Sequence, residues 1–191
     1  MTNVLLHDFM VEEHVKNALK EDIGFGDITT DYHVPEDAII TAKMNTRQDG
    51  ILCGINIVEI VFKTLSPEVK IKKFFKDGDE IHKGDTLATI EGSARAILIG
   101  ERTALNYIQR LSGIATETNK YQKAIGNNKA RITDTRKTTP CFRMFEKYAV
   151  YTGGARLHRF NLSDCVMIKD NHIQLAGSIT NAVNQIRSKI S

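Results

Sequence analysis

An α+β N-terminal region followed by an α/β region on a parallel sheet or barrel is the fold class that the sequence predicts. Three observations lead there. Residues 38–99 carry short β-branched runs separated by Asp49-Gly50, Asp77-Gly78 and Gly84-Asp85, which are turn dipeptides. From about residue 95 a long stretch, "AILIGERTALNYIQRLSGIATETNKYQKAI", repeats its apolar residues at helical spacing. From residue 130 the chain reads strand, helix, strand, helix, the order that favours parallel pairing.

Taken in order, residues 9–22 place Val11, Val15, Ala18 and Leu19 on one helical face. Gly24, Gly26 and Asp27 then break that helix. These glycines make no dinucleotide fingerprint, because no strand precedes them. Strands are expected in "AIITAKMN", "VKIKKFF" and, as two short pieces, "DGDEIHKGDTLATIEG", with residues 54–65 as a helix on the sheet. In the long helix Ile99, Leu105, Ile108, Leu111 and Ile114 mark the expected buried face. "ARITDTR" reads as a strand, and "CFRMFEKYAV" as a helix stopped by Gly153-Gly154. "DCVMIKD" reads as a second strand, and "SITNAVNQIRSKI" as a helix with Ser178 at its N-cap.

Bulk composition narrows the function classes. Among 191 residues, 26% are charged and 41% hydrophobic, which places the chain with globular domains and not with disordered ones. No apolar run reaches the ~18 residues that span a bilayer. The N-terminus lacks a basic stretch and a small-residue cleavage site, so it does not read as a signal peptide. Cys53, Cys141 and Cys165 are odd in number and widely spaced, which gives neither a disulfide framework nor a zinc pattern. A cytoplasmic setting is the simplest expectation. The net charge of +3 is too small to imply nucleic acid.

The charge is unevenly distributed, however. Residues 131–172 hold eight Lys/Arg against four Asp/Glu. In parallel α/β folds the active residues lie at the C-terminal ends of strands. Arg136 and Lys137 end the first expected strand in "ITDTRKTTP", and Lys169 ends the second. His158 and Arg159 come just before that second strand. Guanidinium forks match carboxylates and phosphates, and a lysine supplies a point charge to a phosphate. The pattern points to a pocket for a small, multiply anionic ligand. The plainer readings are a solvated loop at Arg136-Lys137, a helix cap at Thr138-Thr139, and a solvated helix start at Glu101-Arg102, which opens the long helix. No aromatic residues interleave with the cations as stacking platforms, so an RNA-binding or other non-catalytic anion-binding role has little support.

The ordered set "EDIGFGDITTD", "GILCG", "GERTALNYIQRLSGIAT", "TDTRKTTP", "EKYAV", "HR" and "IKDNHI" resembles the quinolinate phosphoribosyltransferases (nicotinate-nucleotide pyrophosphorylases, carboxylating) along nearly the whole chain. The resemblance implies an α+β N-terminal sandwich-like domain followed by an α/β, partial TIM-like barrel that is incomplete in this chain. The expected domains are 1–110, with the start of the linking helix, and 111–191. It implies phosphoribosyl transfer from phosphoribosyl pyrophosphate to quinolinate with decarboxylation, in NAD biosynthesis, accompanied by magnesium whose acidic ligands are not in this chain. Arg136 and Arg159 would hold the quinolinate carboxylates. Lys169 would contact quinolinate and the ribose-phosphate region, while Lys137 and His158 would bind the donor. Arg102 would reach the site from the second subunit of a homodimer. Lys137, Lys169 and His158 are thus the expected catalytic groups. No nucleic-acid or membrane partner is implied.

Three positions depart from the family pattern. Cys141 stands where a glycine is usual, and Ala155 and Leu157 stand where a glycine and an asparagine are usual. A closed barrel needs roughly 200 residues, and about 60 follow residue 130. The chain is therefore expected to be truncated at its C-terminus and, alone, inactive or nearly so. A related, molybdenum-associated phosphoribosyltransferase paralogue is the neighbouring alternative.

Overall fold

A computed structural model describes residues 6–190. The chain forms two compact units, Met1–His158 and Arg159–Ser191.

The first unit begins with α1 (Asp8–Ile23), whose Val11, Val15 and Leu19 are buried at the expected spacing. Gly24, at φ +57°, ends it by returning its N–H to the Lys20 carbonyl. The sequence reading took Asp27 as a breaker. It is the N-cap of a short helix that the reading missed, α2 (Ile28–His33): its carboxylate accepts from the Thr29 and Thr30 amides and from the Thr30 hydroxyl.

The strands are β1 (Ile39–Asn45), β2 (Gly50–Ile51), β3 (Lys70–Lys73), β4 (Glu80–Ile81) and β5 (Thr86–Ser93). β1, β5 and β3 form an antiparallel sheet in that order, with Ala42 and Ile71 both opposite Ile90. β2 and β4 pair separately. Between them α3 (Ile55–Leu65) buries Ile55, Ile57, Val58, Val61 and Phe62. Each such side chain contributes roughly 1.5–3 kcal/mol by leaving water.

Asp77 ties this region together. Helix α3 starts from Gly54, a left-handed residue with no side chain to cap it. Asp77 Oδ1 serves instead, accepting from the Gly54 and Ile55 amides at 2.8 and 2.9 Å. Its Oδ2 accepts from the Tyr148 hydroxyl at 2.7 Å. Burial first, and then the Asp77 charge, push the Tyr148 phenol and the Cys53 thiol upward, so both stay protonated beside the carboxylate.

Helix α4 (Ala94–Ile125) starts where β5 ends, with Ser93 accepting from the Ala96 amide. Its buried stripe is Ile97, Ala104, Ile108, Leu111 and Ala115. Of the expected face only Ile108 and Leu111 are fully buried; Ile99, Leu105 and Ile114 lie at its flanks. The alanines were invisible to an apolar-bulk count, yet they allow close packing. Helix α5 (Arg143–Thr152) stops at Gly153-Gly154 as expected and buries Phe145, Tyr148 and Ala149.

Two expected strands are corrected. "ARITDTR" contributes an isolated parallel bridge, Thr133 to Arg156, and no ladder. The bridge is closed by Asp134 N–H to the Arg156 carbonyl and Arg156 N–H to the Ile132 carbonyl. "DCVMIKD" forms no strand. A strand exists only through its neighbours. Arg156 is the sole bridge partner of residues 130–136 among the described residues. The second unit consists of α6 (Asp170–Ala176) and α7 (Ile179–Arg187) with irregular chain before them. Ser178 caps α7 as expected, accepting from the Asn181 amide; α6 was not foreseen.

Asp77→Ala should therefore cost about 2–4 kcal/mol, since it strips a helix start and a buried hydroxyl of their acceptor. Tyr148→Phe should cost about 1 kcal/mol. Urea unfolding of the two variants checks the ratio.

Candidate active site

The loop from Thr135 to Phe142 carries Arg136 and Lys137, and side chains from two helices hold it. Thr135 Oγ1 accepts from the Lys137 amide. Arg143, on α5, donates Nε to Thr138 Oγ1 at 3.1 Å and Nη2 to the Arg136 carbonyl. Glu146, one turn further along α5, accepts from the Thr139 amide and hydroxyl, and from Arg110 of α4 at 2.8 Å. Burial works against the Glu146 charge, but the Arg110 and Thr139 hydrogen bonds outweigh it and lower its pKa. The Thr138-Thr139 pair thus braces α5 without standing at its N-cap, which is Phe142.

A second set of bonds brings the His158 loop to the same segment. Lys147 and Asp134 form an ion pair whose side chains are 1% and 3% exposed. Lys147 Nζ also donates to the His158 carbonyl at 3.0 Å, and Asp134 Oδ1 accepts from the His158 amide at 2.7 Å. The sequence reading missed both residues. Lys147 lies between the apolar Phe145, Tyr148 and Ala149, and a cation on a buried helix face was the signal.

The expected site residues divide as follows. Arg136, Lys137 and His158 belong to the first unit and are linked through Asp134 and the bridge segment. Arg136 Nε is buried without a hydrogen-bond partner. Arg136 and Lys137 have no carboxylate within ion-pair distance among the described residues. Arg102 is exposed in the third turn of α4 and so does not open the helix, because α4 begins at Ala94, straight after β5. Arg159 and Lys169 belong to the second unit. Arg159 donates Nη1 to the Cys165 carbonyl at 3.0 Å and Nη2 to Met167 Sδ. Lys169 is the exposed N-cap residue of α6, its amide donating to His172 Nδ1. None of these cations ends a regular strand, since the ladders expected before them do not form.

A groove of about 610 Å³ lies elsewhere, between α1, α4 and Phe142, and contains none of the expected cations. His14 lines it and bonds Tyr107 Oη at 2.5 Å and the Cys141 carbonyl. Partial burial among Tyr107, Phe142 and Phe145 lowers the His14 pKa.

Family comparisons match this arrangement along the chain. The family described as "Quinolinate phosphoribosyl transferase, N-terminal domain" matches residues 27–112, and its C-terminal domain matches residues 114–191. The chain belongs to the quinolinate phosphoribosyltransferase family. It is 46% identical over 167 residues to a probable nicotinate-nucleotide pyrophosphorylase [carboxylating] of Bacillus subtilis, covering 87% of this chain and 57% of that protein. It is 43% identical to a chloroplastic nicotinate-nucleotide pyrophosphorylase [carboxylating] of Arabidopsis thaliana, covering 90% and 49%. The crystal structure of NadC from Streptococcus pyogenes superposes with a TM-score of 0.92 at 42% identity, over 96% of this chain and 65% of that one. The chain thus spans about half to two thirds of the length of these relatives. The fold class follows: an N-terminal sheet domain and a C-terminal α/β region.

Two of the three departures from the family pattern now have a structural reading. Cys141 is the one described non-glycine residue at positive φ, +61°. A glycine would take that conformation freely, whereas a side chain costs roughly 1–2 kcal/mol there. Ala155 is buried, outside the positive-φ residues, and its amide donates to the Val150 carbonyl, so it needs no glycine. Nothing in the structure explains Leu157.

Cys141→Gly should leave stability equal or higher, and Cys141→Val should lower it by about 1–2 kcal/mol, as read by thermal melts. A His14 pKa depressed by folding contributes stability that is full above the unfolded value of about 6.5 and is lost as pH falls through the folded value. The drop in Tm from about pH 7.5 to about pH 5.5 should shrink in His14→Gln.

Proposed function

We propose that the protein of which this chain is part transfers the phosphoribosyl group of phosphoribosyl pyrophosphate to quinolinate with loss of carbon dioxide. The products are nicotinate mononucleotide and pyrophosphate, and the protein is a cytoplasmic pentosyltransferase of NAD biosynthesis. The observation that carries this reading is Arg136: its buried Nε has no hydrogen-bond partner, and Lys137 beside it has no carboxylate within ion-pair distance among the described residues. A buried Nε–H without a partner is costly unless an acceptor reaches it. A pyridine dicarboxylate offers the planar acceptors that fit it. The names of the relatives support the same chemistry.

In this reading Arg136 and Arg159 bind the two carboxylates, and Lys169 lies by quinolinate and the ribose phosphate. Lys137 and His158 hold the donor. Breaking the bond between ribose C1 and pyrophosphate develops positive charge on the sugar and negative charge on the leaving group. The ring nitrogen of quinolinate then bonds to C1. Loss of the adjacent carboxylate as carbon dioxide leaves an electron pair on the ring, which takes up a proton. Fixed cations at the leaving group and beside the ring stabilise charge where it forms, and holding both substrates together removes much of the entropic barrier.

Among the described residues no group of three or more His, Cys, Asp or Glu side chains could hold a metal ion. Magnesium is proposed as a companion of the pyrophosphate substrate, whose negative charge it would offset. A homodimer in which Arg102 completes the partner's site is also proposed. Exposed Phe25, just before α2, and Ile28 and Tyr32 on it offer apolar area for such an interface. No described helix is long and apolar enough to cross a membrane.

Release of carbon dioxide from carboxyl-labelled quinolinate, dependent on phosphoribosyl pyrophosphate, tests the proposal in the intact protein. Arg136→Ala should lower kcat/KM for quinolinate about 100-fold at an unchanged Tm. Equal use of nicotinate and quinolinate would point to the paralogue reading instead.

A further inference from the structure

We propose that Asp134 and Lys147 are positioning residues that set the distance between the donor-binding loop at His158 and the carboxylate-binding loop at Arg136. The proposal rests on the phosphoribosyltransferase reading above.

The geometry is specific to that task. The pair lies at the meeting point of three segments: residues 132–134, α5 and residues 156–158. Its charges neutralise each other inside the unit, with both side chains at most 3% exposed. The remaining bonding capacity goes to the backbone of His158. Asp134 Oδ1 takes its N–H and Lys147 Nζ takes its C=O, so the peptide groups on both sides of His158 are held. The Thr133–Arg156 bridge itself ends at Arg156. The ion pair reaches two residues further, to the backbone of His158. Arg136 follows Asp134 by two residues and is braced from the same helix by Arg143, which reaches its carbonyl. One turn of α5, residues 143–147, therefore grips both loops.

Stability alone does not account for the pair. Two charges taken out of water are costly, and well-packed apolar residues in their place often leave a protein as stable or more so. What apolar residues cannot supply is a directional hold on a peptide group.

The test compares two double variants of the intact protein. Asp134→Leu/Lys147→Met removes the hold and leaves no buried charge. Asp134→Asn/Lys147→Met restores the oxygen that accepts from the His158 amide. Both should melt near wild type. The first should lose about tenfold in affinity for phosphoribosyl pyrophosphate and about tenfold in kcat, and the second should recover most of the affinity. Affinity and kcat within about twofold of wild type in the first variant would overturn the proposal. Should that variant not fold, hydrogen exchange in the wild type decides. A His158 amide protected by about 1,000-fold or more supports the clamp, and one exchanging within about tenfold of an unstructured amide overturns it. A wild-type protein that folds, shows that protection and still releases no carbon dioxide would sink the functional reading and not the clamp.

Discussion

The close approach of Gly153 to helix α4 sets the position of much else in the first unit. A Cβ at residue 153 would lie 2.4 Å from the Ala115 carbonyl and 2.6 Å from Thr118 Cβ, distances no side chain tolerates. The end of α5 is thereby pressed against α4, where Ala115 itself presents little bulk. The rest of α5 is then placed by polar bonds of long reach. Tyr148 bonds Asp77 and so meets the start of α3, and Glu146 bonds Arg110 of α4. Lys147 is left pointing at Asp134. Small residues permit the contact, and hydrogen bonds give it direction.

A division of labour among the cations follows. Arg110, Arg143 and Lys147 spend their charge and donors on the protein itself, on Glu146, Thr138 and Asp134. Arg102, Arg136, Lys137 and Lys169 have no such carboxylate among the described residues. Within the first group the buried Lys147 meets Asp134 and the partly buried Arg143 meets Thr138, so neither charge is left out of water without an acceptor. The second group is the one proposed to meet a ligand. Composition alone could not separate them, because the same residue types serve both purposes.

Much of the architecture was nevertheless legible. Val11, Val15 and Leu19 announced α1, the turn dipeptides announced the small sheets, and Gly153-Gly154 announced the end of α5. These are local signals, decided within a few residues by sterics and periodicity. Asp27 was misread because capping and breaking use the same residue types, and only the following turn tells them apart. The strands expected at "ARITDTR" and "DCVMIKD" failed for a different reason. A β-branched run states a preference for extended backbone, but a ladder needs a second extended segment beside it.

By itself the sequence suggested which residues could meet an anion: the expected order of elements singled out positions 136, 137, 158, 159 and 169, and the order of motifs resembled one family. Only the tertiary structure decided which charges were already taken. Lys147 counted as one more basic residue until its burial against Asp134 was seen, and Cys141 stood out as a departure from a usual glycine without a reason until its backbone proved left-handed. Both facts depend on contacts or dihedrals between positions that share no local pattern. Asp134, Lys147 and His158 are separated by 13 and 11 residues and joined by three hydrogen bonds. Such a junction is a property of packing, where a polar group out of water must find its partner wherever the fold puts it.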